Sequence, residues 1–318
     1  MTYYEQQRDK KVNKLPNTFF DNDSGKGIFH INDKETGKIK PLLHLSFVLK
    51  ERKLNLWNEI REDAISYFEK NNIEWHKDAK GEPQKGPEGH LLSSNIFCVN
   101  HLFYLRQKRD LVTLILKEID KRIVSAEIIN YGYIEFEIMD GKNKINPLNE
   151  KSLERKRGSK STSVDAVMVG RKSDGKNILF LIEWKYTEKG YDPECKFRAK
   201  DNYHKNYTDL LQDENCPINS PENVKGLFFE PYYQLMRQTL LGWKMIEASE
   251  YNCNEFICIH IIPKGNIEFR KNCQNWKSFL KEQYKQNYMI IAPDDLLKPI
   301  VNEQNIDLFI EYLRNRYW

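Results

Sequence analysis

Residues Ser163 to Glu188, SVDAVMVGRKSDGKNILFLIEWKYTE, constrain this chain more than any other stretch. Two apolar runs, Val164 to Val169 and Ile178 to Ile182, flank a polar turn centred on Asp174 and Gly175, the pattern of a β-hairpin of buried strands. Three charged residues fall where burial excludes charge. Asp165 interrupts the first run, and Glu183 and Lys185 close the second with Trp184 between them. Isolated charges in strands this apolar are costly unless paired or bound to a metal. Side chains alternate along a strand, so Glu183 and Lys185 share one face. Asp165 stands opposite Glu183 only if the connection has an odd number of residues or a bulge near Asp174. An even connection pairs Asp165 with Trp184 and sends the two acids to opposite faces.

The remaining chain supplies enough material to bury such a hairpin. It has 318 residues, 40% apolar and 30% charged, the balance of a folded protein with a charged surface. No apolar run reaches the ~20 residues that span a bilayer, and the opening MTYYEQQRDKK lacks the apolar core of a secretory signal, so the expected location is the cytoplasm. Six cysteines lie scattered without a CxxC pair, which argues against a zinc ribbon and a disulfide framework. Cys253, Cys258 and His260 come nearest to a metal cluster, but Cys258 and His260 fall in an apolar strand pattern and read as buried. A net charge of +4 suits a nucleic-acid binder whose acidic site offsets a basic groove, without deciding the matter.

Taken in order, residues 1 to 50 read as an irregular arm. Apolar residues at helical spacing predict helices from Leu54 to Glu69, from Leu92 to Gln107 behind Ser93 or Ser94, and from Leu111 to Arg122 behind Asp110. HKDAKGEPQKGPEGH between the first two is a loop. From Ile123 to Met139 the period changes to a strand in which Ile134, Phe136 and Ile138 alternate with a wet face of Tyr133, Glu135 and Glu137. Glu137 then points where Asp165 points. A basic loop with Arg155, Lys156, Arg157 and Lys160 leads into Asp165. It reads equally as a phosphate-neutralising element and as an ordinary solvated loop. Tyr191 to Glu214, with tyrosines interleaved among lysines, suits a surface that contacts a nucleic-acid strand and equally an ordinary amphipathic helix, the reading preferred here. The helix after Pro231 carries a core stripe of Leu235, Met236, Thr239, Leu240 and Trp243, with Gln234, Arg237, Gln238 and Leu241 on another face. Glu255 to Ile262 is a central strand, followed by a helix at Trp276 to Lys285, a strand at Tyr288 to Ala292 and a helix from Ile306 to Tyr317.

Two carboxylates and an ammonium group converging beside a sheet are equipment for metal-assisted phosphodiester hydrolysis. The order Asp165, then Glu183-Trp184-Lys185, resembles the PD-(D/E)XK nuclease superfamily. The surroundings TSVDA, LIEWKYTE and YYQLMRQTLLG look like a bacterial restriction-endonuclease-like group within it, over roughly Glu135 to Trp243. The resemblance implies an α/β fold of α+β sandwich type: a restriction-endonuclease-like core with a central mixed sheet flanked by helices. With no repeat and no clean linker, the chain reads as one compact domain overall, its residues 1–122 an N-terminal arm and helical elaboration packed on a nuclease core over 123–318. The resemblance also implies that Asp165 and Glu183 bind Mg2+, or Mn2+ of similar chemistry, that Lys185 positions the attacking water, and that the Trp184 carbonyl is a further ligand. Glu137 matches the upstream acid of some branches. Where those branches carry QxxxY, this chain has Gln234 and Gln238, which supports Gln234 and leaves Gln238 open.

The expected function is Mg2+-dependent cleavage of DNA, of restriction or defence type, with Arg155, Lys156, Arg157, Lys160 and Arg237 on the nucleic acid. Cutting both strands of a duplex usually takes two active sites, so a homodimer is expected. The alternatives are a non-cleaving nucleic-acid-binding or assembly subunit on the same fold, and a repair exonuclease or RNA nuclease.

Overall fold

The computed structural model describes residues 1–23, 25–32, 39–75, 86–138, 148, 162–189, 203–219 and 224–318. They fall into two compact units, one from Met1–Tyr104 and Val301–Trp318, the other from Leu105–Glu154 and Ser159–Ile300. The units therefore part before residue 122, and the last helix groups with the N-terminal residues.

In the first unit the N-terminal residues are regular rather than irregular. Helix α1 (Tyr3–Asp9) opens on a capping box in which Thr2 and Glu5 each accept the other's backbone N–H. Strands β1 (Gly27–Asn32) and β2 (Ile39–Leu45) form an antiparallel pair. The helix expected from Leu54 begins only at Arg61, because the residues before it form 3-10 turns; α2 spans Arg61–Lys70. Ser93 caps α3 (Ser94–Leu102) by accepting from the Ile96 N–H. The C-terminal helix Asp307–Arg316 supplies Phe309 and Tyr312 to the Trp57 ring, and it buries Arg316 completely against Asn55 and the rings of Phe20, Tyr312 and Tyr317.

The second unit holds the sheet. Helix α4 (Arg109–Ile119) starts from Lys108, not from a cap at Asp110. Asp110 sits in its first turn, where a negative charge suits the helix dipole. The single strand expected over Ile123 to Met139 is two, β3 (Ile123–Glu127) and β4 (Glu135–Ile138), because Ile129 and Gly132 close a turn on each other. Nor is the Glu135 face wet: Glu135 is buried against Arg106 at 2.6 Å, so its charge is paired.

Strands β5 (Val164–Lys172) and β6 (Asn177–Trp184) make the hairpin. Their register runs unbroken from Ala166↔Ile182 to Arg171↔Asn177. Lys172 N–H donates to the Lys176 carbonyl, closing an odd loop of Ser173, Asp174 and Gly175. Gly175 occupies the left-handed region at φ +82°, which a type I turn with a following bulge requires.

Beyond β6, α5 (Tyr203–Gln212) and α6 (Tyr232–Glu247) precede β7 (Cys253–Ile261), which lies parallel to β6. Helix α7 (Ile267–Gln274) then leads to β8 (Tyr288–Ile291), parallel to β7. The helix expected at Trp276 to Lys285 is instead two 3-10 segments, and the α-helix precedes it. A short α8 (Pro293–Leu297) follows.

The sheet order is β3-β5-β6-β7-β8, with β4 also on β5, giving a mixed sheet flanked by helices. Helix α6 covers the face of Val167, Val169, Leu179, Leu181, Phe256 and Cys258. Leu241 belongs to this core rather than to the face of the two glutamines. Cys98, Cys216, Cys253, Cys258 and Cys273 are buried thiols, and burial pushes Cys253, Cys258 and Cys273 up to about 12. No helix among the described residues is long and apolar enough to cross a membrane.

Candidate active site

The registers bring four chemically active residues into one row. Continuing β5 and β6 by one step places Asp165 opposite Glu183. The pairs Phe136↔Ala166 and Ile138↔Val164 bracket Glu137 opposite Asp165, and on the other side Glu183 pairs with His260. Residues opposite each other on adjacent strands face the same way, so Glu137, Asp165, Glu183 and His260 line one face near the strand ends.

Helix α6 closes over that face. Gln234 Nε2 donates to Glu183 Oε1 at 2.7 Å and Gln238 Nε2 to Glu183 Oε2 at 2.5 Å. Lys185 Nζ sits 2.7 Å from Glu183 Oε1 with its side chain only 13% exposed. The Trp184 N–H donates to Asp165 Oδ2 at 2.7 Å. Ser163 Oγ lies 3.5 Å from Glu137 Oε2. Glu137 has φ +51°, a left-handed conformation that costs a non-glycine residue about 1–3 kcal/mol and persists where surroundings enforce it. Arg237 Nε donates to the Thr162 hydroxyl at 2.9 Å, and its guanidinium lies over the Tyr233 ring.

These contacts set the ionisation of the acids. Burial, together with the charges of Glu183 and Glu137, holds the Asp165 carboxyl well above the usual range, against the pull of Lys185 and the Trp184 N–H. Burial also opposes ionisation of Glu183, but the Lys185 ammonium, with His260 and the Gln238 amide, more than offsets it and holds Glu183 low. Lys185 is raised: burial works against its charge, and Glu183, Glu188 and Asp165 outweigh it. The result is one firmly ionised acid paired with an ammonium, beside a second acid that resists ionising without a cation.

Two residues at the site escaped the sequence reading as site members. His260 hides in an apolar run, and only the parallel register sets it beside Glu183. Burial pushes its pKa down to about 4, against the pull of the Glu183 charge, and its Nδ1 has no hydrogen-bond partner among the described residues. Asn266 donates to the carbonyls of Tyr186 and Glu188 at 3.3 and 2.9 Å, holding the chain just after Lys185. Glu188 itself accepts the Tyr186 N–H at 2.5 Å.

Among the described residues no three His, Cys, Asp or Glu side chains converge as a ready-made metal cage. The oxygen donors at the row still suit a hard divalent cation, since the mutual repulsion that raises Asp165 is what a cation there relieves. Arg155, Lys156, Arg157 and Lys160 lie outside the described residues.

A mixed sheet flanked by helices, with acids and a lysine at the strand ends under a glutamine-bearing helix, defines an α/β protein with a restriction-endonuclease-like core. The chain belongs to the family described as restriction endonuclease associating with ARP, whose model matches residues 19–318. No curated protein and no solved structure matches it.

Proposed function

We propose that the protein is a divalent-cation-dependent nuclease of PD-(D/E)XK type that hydrolyses phosphodiester bonds in DNA, in a restriction or defence role. The observation that carries this reading is the single row of Asp165 and Glu183 with the Lys185 ammonium 2.7 Å from Glu183. Family membership supports the nuclease class, and we extend to this chain the association with ARP that the family description names.

In this reading Asp165 and Glu183 hold Mg2+ or Mn2+, with the Trp184 carbonyl and Glu137 as further ligands. A cation so held lowers the pKa of bound water and withdraws charge from a phosphate oxygen. Lys185, fixed by Glu183, orients the attacking water and steadies negative charge developing on the phosphate. Gln234 keeps Glu183 in place from α6. Arg237, beside the site, meets the nucleic acid together with Arg155, Lys156, Arg157 and Lys160.

The test is cleavage of DNA with Mg2+, with EDTA and by Glu183→Ala. Activity that survives EDTA, or is unchanged in the variant, contradicts the proposal. DNA binding without metal-stimulated turnover would instead favour a non-cleaving subunit. Linear, circular and RNA substrates separate an endonuclease from an exonuclease or RNA nuclease.

A further inference from the structure

Gln238 sits at the second glutamine of the α6 pair and is buried, with 2% of its surface exposed. Its amide does more than touch Glu183. The same Nε2 that donates to Glu183 Oε2 at 2.5 Å also reaches the Ser163 carbonyl at 3.3 Å. Both acceptors demand N–H, so they fix the orientation of the amide. One NH2 group thus bridges the end of β6, which carries Glu183, and the residue before β5, two positions from Asp165. Gln234, one turn earlier, donates to Glu183.

The bridge falls where the pairing between β5 and β6 ends. The β5–β6 register runs to Ala166↔Ile182. Past that point the Trp184 N–H turns to the Asp165 carboxylate. That bond competes with any cation drawing on the same carboxylate, whereas the link from Gln238 to Ser163 uses a backbone carbonyl. When ionised, the acids of Asp165 and Glu183 repel one another across the two strands, and past Ala166↔Ile182 no β5–β6 ladder pair opposes their spreading, while β4 and β7 pair only with the outer edges of β5 and β6. Helix α6 is anchored on the sheet below by its apolar stripe, so an amide projecting from it is a fixed strut.

We propose that Gln238 is a positioning residue that holds the strand ends of Asp165 and Glu183 at the separation at which both acids grip one cation. It acts through its strand tie and touches neither substrate nor reacting atoms. This inference rests on the metal-dependent reading above.

The experiment is calorimetric titration of Mn2+ and Mg2+ into wild type, Gln238→Met and Gln234→Met, with melting temperature as a check on folding. Methionine keeps the length of glutamine and removes its donors. Gln238→Met should weaken cation binding ten- to a hundred-fold, the range for lost groups that orient metal ligands. Gln234→Met, which removes a Glu183 bond but no strand tie, should lose less than a third as much in fold terms. If Gln238→Met fails to fold, Gln238→Asn, too short to span both acceptors, must show the same loss. Unchanged affinity in the folded Gln238 variant, or an equal loss in Gln234→Met, overturns the inference. If wild type binds neither cation, the metal-dependent reading itself falls, a result distinct from failure of the strut.

Discussion

The Trp184 N–H donates to Oδ2 of Asp165 at 2.7 Å, so the residue between Glu183 and Lys185 is tied to the acid of the neighbouring strand. This bond, together with the odd hairpin loop, places two acids and an ammonium at one strand end.

The Lys185–Glu183 pair is buried, and removing one partner of a buried pair strands the other's charge. Lys185→Ala should therefore lower the unfolding free energy by about 3 kcal/mol, measured by urea denaturation. Combining it with Glu183→Gln should recover part of the loss. A loss under about 1 kcal/mol, the range of exposed pairs, contradicts the buried geometry.

Asp165 titrates above the usual carboxyl range in the folded protein. The native state then holds a proton that the unfolded chain has released. Its contribution is intact below the ordinary carboxyl pKa of ~3.9, and is lost as the pH rises from there through the raised value. Metal-free wild type should lose stability over that window, and Asp165→Asn should flatten the decline. Glu183 works the other way: its lowered carboxyl contributes stability above the ordinary range that is lost on acidification. Cation binding at a pH within the Asp165 window should release a proton, seen as a binding heat that changes with buffer ionisation enthalpy. Heat that is independent of the buffer throughout that window would contradict a raised Asp165 carboxyl.

Gly242 lets α6 lie close on the sheet. A Cβ there would stand 2.6 Å from the Phe256 ring and 3.0 Å from Leu181. Gly242→Ala should destabilise by about 1–3 kcal/mol through overpacking, although alanine favours helix by about 1 kcal/mol. Thermal melting decides it, and a stabilised variant would refute the tight seat of α6.

DNA affinity should fall with salt, and replacing Arg155, Lys156, Arg157 and Lys160 by alanine should flatten the slope of log K against log salt. The change is about 0.9 for each residue that neutralises a phosphate of a duplex. Fluorescence anisotropy with a labelled duplex measures it, and an unchanged slope removes this loop from the interface.

The elements that carry the acids were legible because their signals are local. Two apolar runs around Asp174 and Gly175 specify the hairpin, while the odd loop that sets Asp165 opposite Glu183 emerges only in the register. The run from Glu255 to Ile262 marks β7, and the stripe of α6 marks its buried side. What stayed hidden depends on partners far along the chain. His260 reaches Glu183 only through the parallel pairing of β6 and β7, and Gln238 acquires its role from Ser163. Asn266 precedes a polar helix, IEFRKNCQ, with too few apolar residues to announce itself. The aromatic spacing of Trp276, Phe279 and Tyr284 imitated a helix and formed 3-10 turns instead. The Thr2–Glu5 capping box was a readable signal for α1 that the polar surroundings obscured.

The most direct measurement is incubation of covalently closed plasmid DNA with wild type and with Lys185→Ala, each with and without Mg2+. The account predicts nicked or linear product from wild type with Mg2+ alone, and none from the variant or without the ion. Equal cutting by wild type and Lys185→Ala, or cutting by wild type without a divalent ion, would contradict it.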